Sequence, residues 1–186
     1  MKVQSSGDSG TYTGSPSPFV RRFASRIAGA SLGKPILDVA CGSGRNAMVL
    51  SQIKCSVVCV DKDLTSLKAQ RLRLRGTALA RRLRLQRLDL LKDPWPFAPS
   101  VFGGIINVHF LLPALFPAFE SSLSAGGYLL LETVPGCGGN YLELPKPGSV
   151  RAAFEASFSI ESYQERKIGP LGYEAVTVHL LAKRKG

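Results

Sequence analysis

The stretch PILDVACGSGRNAMVL, residues 35–50, joins a short apolar run carrying one carboxylate to two closely spaced glycines and a helix-like pattern. Gly42, Gly44 and Ala47 satisfy the G-x-G-x-x-G/A spacing, in which a tight strand-to-helix turn brings backbone against a ligand. Three acids frame the turn. Asp38 precedes Gly42 by four residues, Asp61 follows it by nineteen at the end of CSVVCVD, and Asp89 stands in RLDLL. Asp61 suits either a nicotinamide or flavin dinucleotide or S-adenosylmethionine, because a carboxylate there can accept from both ribose hydroxyls. Asp38 and Asp89 discriminate between the two. Fixed negative charge repels a pyrophosphate, whereas S-adenosylmethionine carries a sulfonium and an ammonium against one carboxylate, worth ~4 kcal/mol per close opposite pair at an intermediate dielectric. The acids favour the sulfonium ligand.

Elements with the right alternation must position these residues. PILDVA reads as a first strand, Asn46 to Gln52 as a helix, and CSVVCVD as a strand buried on both faces of a parallel sheet. A helix from Leu64 to a stop at Gly76 carries many basic residues; LRLQRLDL, VFGGIINVHFL and AGGYLLLETV follow as strands, with a helix over Ala114 to Leu123. FSIESYQER and YEAVTVHLLAK, joined by KIGPLG, read as an antiparallel pair after a short helix at Val150 to Ala156. Strand and helix alternate throughout. This pattern predicts an α/β, doubly wound, mostly parallel seven-stranded sheet with a C-terminal antiparallel pair. In such a sheet the ligand lies beyond the carboxyl ends of the strands, where strand order reverses. Residues 1–17 read as a flexible tail, FVRRFASRI, Phe19 to about Ile27, as a short amphipathic helix, and 18–186 as one domain.

Composition narrows the class. The chain has 186 residues, too few for a cofactor domain plus a separate substrate domain, and its 45% hydrophobic and 20% charged content is that of a globular protein. Cys41, Cys55, Cys59 and Cys137 lack C-x-x-C spacing and the only histidines are His109 and His179, so no metal site is expected. Cys55 and Cys59 would share a strand face as buried thiols, which suits a reducing compartment. The first seventeen residues offer no signal-peptide core, and no later run is long enough to span a membrane, so a cytoplasmic location is expected. Net charge is +11, and residues 62–92 alone hold ten basic residues against two acidic ones.

ILDVACGSGRNA, VVCVDKD, LQRLDLLKDPWPF, GGIINVHFL and AGGYLLLE, in that order over residues 34–134, resemble the class I S-adenosylmethionine-dependent methyltransferases. The resemblance implies that backbone at Ala40, Gly42 and Gly44 runs beside the methionine moiety, that Asp61 holds the ribose and that Lys62 lies near the adenine. It further implies that Asp89 accepts from the adenine amine, that the Leu90 backbone reads a ring nitrogen, that Asn107 lies under the sulfonium end, and that Asp38 acts through water or backbone. One departure is visible. The family often has an aspartate after the phenylalanine opening the fourth strand; here Phe102 precedes Gly103 and Gly104, which leaves the start of that strand open.

Methyl transfer from a sulfonium is an in-line displacement, so proximity and water exclusion supply much of the acceleration and a dedicated base is optional. His109, two residues after Asn107, is the candidate catalytic side chain, as a base or by binding the acceptor. The loop 134–149 holds Asn140 and Tyr141, candidate substrate-binding residues on a lid. NVHF replaces the Asn/Asp-Pro-Pro-aromatic turn of adenine methyltransferases, and the segments around it also look like the small tellurite-resistance and thiopurine-like enzymes; both point to a small-molecule acceptor. Two other readings stand beside it: a nucleic-acid methyltransferase using the basic 62–92 stretch, and a catalytically silent, cofactor-binding partner subunit.

Overall fold

A computed structural model describes residues 14–134, 144–169 and 174–186. Seven strands form one sheet in the order β3-β2-β1-β4-β5-β7-β6. They are β1 (Ile36–Val39), β2 (Val57–Asp61), β3 (Leu83–Arg87), β4 (Phe102–Val108), β5 (Leu123–Glu132), β6 (Phe158–Ile168) and β7 (Ala175–Arg184). Neighbours from β3 to β5 are parallel, and β7 runs antiparallel to both β5 and β6. The order reverses between β1 and β4, so the carboxyl ends of those two strands form the crevice that a doubly wound sheet offers a ligand.

The helices are α1 (Pro18–Ala30), α2 (Arg45–Gln52), α3 (Thr65–Arg73), α4 (Ala78–Arg82), α5 (Phe116–Ser122) and α6 (Ser149–Phe154), with a 3-10 turn over Pro113–Leu115. One apolar layer packs α1, α2 and α3 on the sheet through Phe23, Ile27, Leu50, Leu67, Ile36 and Ile106. The opposite layer joins Leu37, Val39, Ile105, Phe119, Leu129 and Phe154. Central strands apolar on both faces explain the near-continuous hydrophobic runs.

Several boundaries differ from the sequence reading, each for a physical reason. α1 is longer than FVRRFASRI because Ser17, assigned by sequence to the tail, caps it: its hydroxyl accepts from the amides of Phe19 (3.0 Å) and Val20 (3.2 Å), and Pro18 occupies the first turn. The short helix α4, absent from the sequence reading, is nucleated by Thr77, whose hydroxyl accepts from the Ala80 amide at 3.2 Å. β2 begins at Val57, which puts Cys55 outside the strand; Cys59 instead neighbours Cys41, whose thiol is pushed up by hydrogen bonding to Cys59 and by burial. The helix expected from Ala114 begins as the 3-10 turn, and β5 starts at Leu123, ahead of the expected strand. β4 starts at Phe102. A Cβ at Gly103 would come within 2.5 Å of Ser31 backbone and one at Gly104 within 2.6 Å of Ile27, so the two glycines let α1 lie directly on the strand.

Candidate active site

Between β1 and α2 the chain turns through left-handed backbone at every second residue: Ala40 (φ 53°), Gly42 (φ 53°) and Gly44 (φ 78°). The two glycines serve different ends. At Gly44, the N-cap of α2, a Cβ would lie 2.4 Å from a methyl carbon of buried Leu67, so its missing side chain is a packing requirement between α2 and α3. At Gly42 an added Cβ would meet nothing within 4 Å. That open side is where a ligand can approach backbone.

Asp61 closes the turn. Its Oδ2 accepts from the Gly42 amide at 2.8 Å and its Oδ1 from the Asp63 amide at 3.0 Å. Each oxygen retains a lone pair for a further donor. Asp61 also lines a cavity of about 160 Å³ together with Ala40, Lys62, Leu88, Asp89, Leu90, Leu91 and Phe110. Five of the residues singled out by sequence therefore converge on one space: Ala40, Asp61, Lys62, Asp89 and Leu90. Asp89 is held in a turn, accepting from the Leu91 amide at 3.1 Å while Lys92 stands 3.7 Å from its other oxygen.

Asp38 and Asn107 lie deeper. Asp38 is 1% exposed on β1, in register with Ile106, and Asn107 is 1% exposed on β4, in register with Val39. Consecutive register positions put the two side chains on opposite faces of the sheet. Asp38 Oδ2 and Asn107 Oδ1 are buried and have no hydrogen-bond partner among the described residues. Burial pushes the Asp38 carboxyl up to about 7; the Ala47 amide opposes this, Asp61 adds to it, and Arg45 opposes it again. An orphaned buried acceptor is costly without a donor, and the Asp61 and Asp89 carboxylates of the cavity suit a cationic ligand with donor groups. The residues present fit S-adenosylmethionine.

His109 follows β4 with φ 63°, and its amide donates to the Glu132 carbonyl at 2.8 Å. Its ring is held from both sides: Arg45 Nη2 lies 3.0 Å from Nδ1, and Nε2 lies 3.3 Å from Glu132 Oε1. A guanidinium only donates, so Nδ1 accepts and the ring proton sits on Nε2, toward Glu132. Glu132 also takes the Ser17 hydroxyl, and the Ser17 amide donates to Asn46 Oδ1 at 2.9 Å. Burial raises the Glu132 carboxyl, but hydrogen bonds from His109 and Ser17, together with the nearby histidines, outweigh it and hold the group below its ordinary range.

Sequence reasoning missed Ser17, Arg45, Asn46 and Glu132. A carboxylate ending the apolar run GGYLLLE, as Asp61 ends VVCVD, was the available signal for Glu132, and Ser17-Pro18 was the cap signal for α1. Gly42 and Gly44 stand at the turn as described. Asn140 and Tyr141 lie outside the described residues.

A cavity of about 470 Å³ lies beyond β4 and α6, lined by Leu111, Pro113, Phe116, Pro145, Lys146 and Val150 among others. Phe110 faces the acid-lined cavity and Leu111 this apolar one, so the two spaces flank one stretch of chain.

Comparison with known proteins agrees with this geometry. Residues 36–127 match the model of a methyltransferase domain family. No curated protein sequence gives a significant match. Among solved structures the chain is similar to a geranyl diphosphate methyltransferase in complex with SAM (14% identity, 88% of this chain and 85% of that one, TM-score 0.66). It is also similar to geranyl diphosphate C-methyltransferase from Streptomyces coelicolor A3(2) (15% identity, 88% and 79%, TM-score 0.65). A third is the Burkholderia thailandensis 1,6-didemethyltoxoflavin-N1-methyltransferase (16% identity, 90% and 79%, TM-score 0.58). The glycine turn, the acids at the ends of its neighbouring strands, the reversed last strand and the matched domain together make this chain a member of the class I S-adenosylmethionine-dependent methyltransferases.

Proposed function

We propose that the protein transfers the methyl group of S-adenosylmethionine to a small-molecule acceptor. The observation that carries this reading is the pair of cavities flanking Phe110 and Leu111, one lined by Asp61 and Asp89 and the other largely apolar. In the first, Asp61 holds the ribose, Asp89 and the Leu90 backbone read the adenine, and Lys62 covers its edge. Ala40 and Gly42 present backbone to the methionine moiety, Gly44 fixes the turn, Asp38 acts through water or backbone from one face of the sheet, and Asn107 lies at the sulfonium end on the other. The bound sulfonium supplies an activated methyl group together with its own leaving group. The chain's part is to align and to exclude water.

The second cavity takes the acceptor. Its walls at Leu111, Phe116 and Val150 suit an apolar body, and Lys146 suits an anionic or polar end. His109 binds the acceptor at the mouth; service as a base requires its contact with Arg45 to open. Support for a small acceptor comes from neighbours of the same fold whose substrates are geranyl diphosphate and 1,6-didemethyltoxoflavin. No helix among the described residues is long and apolar enough to cross a membrane. The test is incubation with methyl-labelled S-adenosylmethionine and fractionated cell extract. Label entering the low-molecular-weight fraction, and lost on Phe116→Ala, is the expected result; label entering only RNA or protein contradicts it.

A further inference from the structure

A third cavity, of about 350 Å³, lies between α3 and α4, away from the acid-lined and apolar spaces. Lys68, Arg71, Arg75 and Arg81 line it over a floor of Leu72, Gly76 and Ala80; no acidic or aromatic residue contributes. Lys68 and Arg71 are three residues apart on α3 and so share a face, and Arg75 sits in the turn that follows. None of these three makes an ion pair among the described residues. Arg81 donates once, to the Gly76 carbonyl at 3.0 Å, and Arg82 is committed to the Ser51 carbonyl at 3.1 Å. The nearby acid Asp63 accepts from the Thr65 amide at 2.9 Å, and the charges of Arg87 and Lys68 also help to hold its carboxyl low.

Beside the cleft, β3 is the edge strand of the sheet, with Arg84 and Arg87 exposed along it. Arg87 reaches the Lys62 carbonyl at 3.1 Å, so the cationic strip runs from the cleft toward the mouth of the acid-lined cavity. Helix ends account for part of this charge, since Arg71 and Arg81 stand in last turns where free carbonyls favour cations. Lys68 in mid-helix, Arg75 beyond the helix and Arg84 on the strand have no such role.

We propose that the α3–α4 cleft and the outer edge of β3 are a docking surface for the phosphodiester backbone of a nucleic-acid duplex, separate from the methyl-transfer site. Clustered cations in excess over the nearby acid Asp63 match a linear polyanion, whose released counter-ions drive the contact. The lack of an aromatic platform argues for backbone contact and against stacking on single strands. A membrane surface fits less well, because Leu72 is the one large apolar side chain standing out of α3 and offers no face to insert.

The test measures anisotropy of a labelled 20-base-pair RNA duplex and of the DNA duplex of the same sequence, over a range of salt, for three proteins. These are wild type, the triple variant Lys68→Ala/Arg71→Ala/Arg75→Ala, and a control losing equal charge at the opposite sheet edge, Arg151→Ala/Arg166→Ala/Lys167→Ala. Wild type is expected to bind with steep salt dependence. The cleft variant should bind at least ~10-fold more weakly and lose ~2 to 3 from its log–log salt slope, while the control stays within ~2-fold and all three bind S-adenosylmethionine alike. Which duplex binds more tightly assigns RNA or DNA as the source of the backbone. Equal loss in both variants, no duplex binding by wild type, or binding to anionic phosphatidylserine vesicles without duplex binding overturns the proposal.

Discussion

The amide of Gly42 donates to Asp61 Oδ2 at 2.8 Å, tying the turn after β1 to the end of β2. A residue on the loop and a residue nineteen positions later are thus one unit. The same carboxylate lines the cavity, so one side chain both shapes the backbone of the turn and borders the space beside it.

The two glycines of the turn should respond differently to alanine. Gly44→Ala combines left-handed backbone with a Cβ 2.4 Å from Leu67, and should cost about 2–4 kcal/mol of stability in urea unfolding. Leu67→Ala in the same chain should recover part of the clash. Gly42→Ala has open space around its Cβ and should cost only about 1–2 kcal/mol of stability. Its methyl group intrudes on the ligand's side, so calorimetry should show cofactor affinity falling well beyond that of Gly44→Ala.

Asp38 gives the protein a pH dependence. With its carboxyl raised to about 7 by burial, the folded chain binds more protons than the unfolded chain between about pH 4 and 7. Stability from this group is greatest at the acid end and falls as pH rises to about 7, at up to roughly 1.4 kcal/mol per unit. Asp38→Asn should remove that slope from denaturant titrations run across this range. A cationic ligand favours the ionised carboxylate, so affinity for S-adenosylmethionine relative to S-adenosylhomocysteine should rise between pH 6 and 8 in wild type and stay level in the variant.

Glu132 anchors a network that runs from exposed His109 to buried Ser17 at the start of α1. Glu132→Ala leaves the buried Ser17 hydroxyl without an acceptor and should cost about 1–3 kcal/mol, while the exposed His109 ring proton turns to water. Urea unfolding measures the loss. Because this carboxyl is held below its ordinary range, its contribution is full above the ordinary carboxylate pKa and disappears as pH falls through its lowered one.

His109→Asn keeps a residue that tolerates left-handed backbone and removes the imidazole. Turnover on the acceptor should fall ~10²-fold or more while cofactor affinity changes less than ~3-fold. Equal losses in both would assign the histidine to cofactor binding.

The convergence on the acid-lined cavity was legible in sequence because its parts are local. A strand, a glycine turn, an acid ending the second strand and an acid just past the third are read from short windows, and Ala40, Asp61, Lys62, Asp89 and Leu90 meet in one cavity. The network behind it was not legible. Ser17 and Glu132 are 115 residues apart and meet only because α1 crosses onto the sheet where β4 carries Gly103 and Gly104. α4 went unread because its 5 residues are too few to show a helical period and its start depends on one threonine cap. Pairing of β6 with β7 followed from alternation, but the early start of β5 did not: a register shift opposite Phe102 and Gly104 extends the strand through its glycines.

Calorimetric titration of wild type and Asp61→Ala with S-adenosylmethionine and with NADH tests the central claim most directly. The account predicts that wild type binds the sulfonium nucleoside and not the dinucleotide, and that Asp61→Ala weakens that binding by at least ~1 kcal/mol. NADH binding in preference to S-adenosylmethionine, or unchanged affinity without the carboxylate, would contradict it.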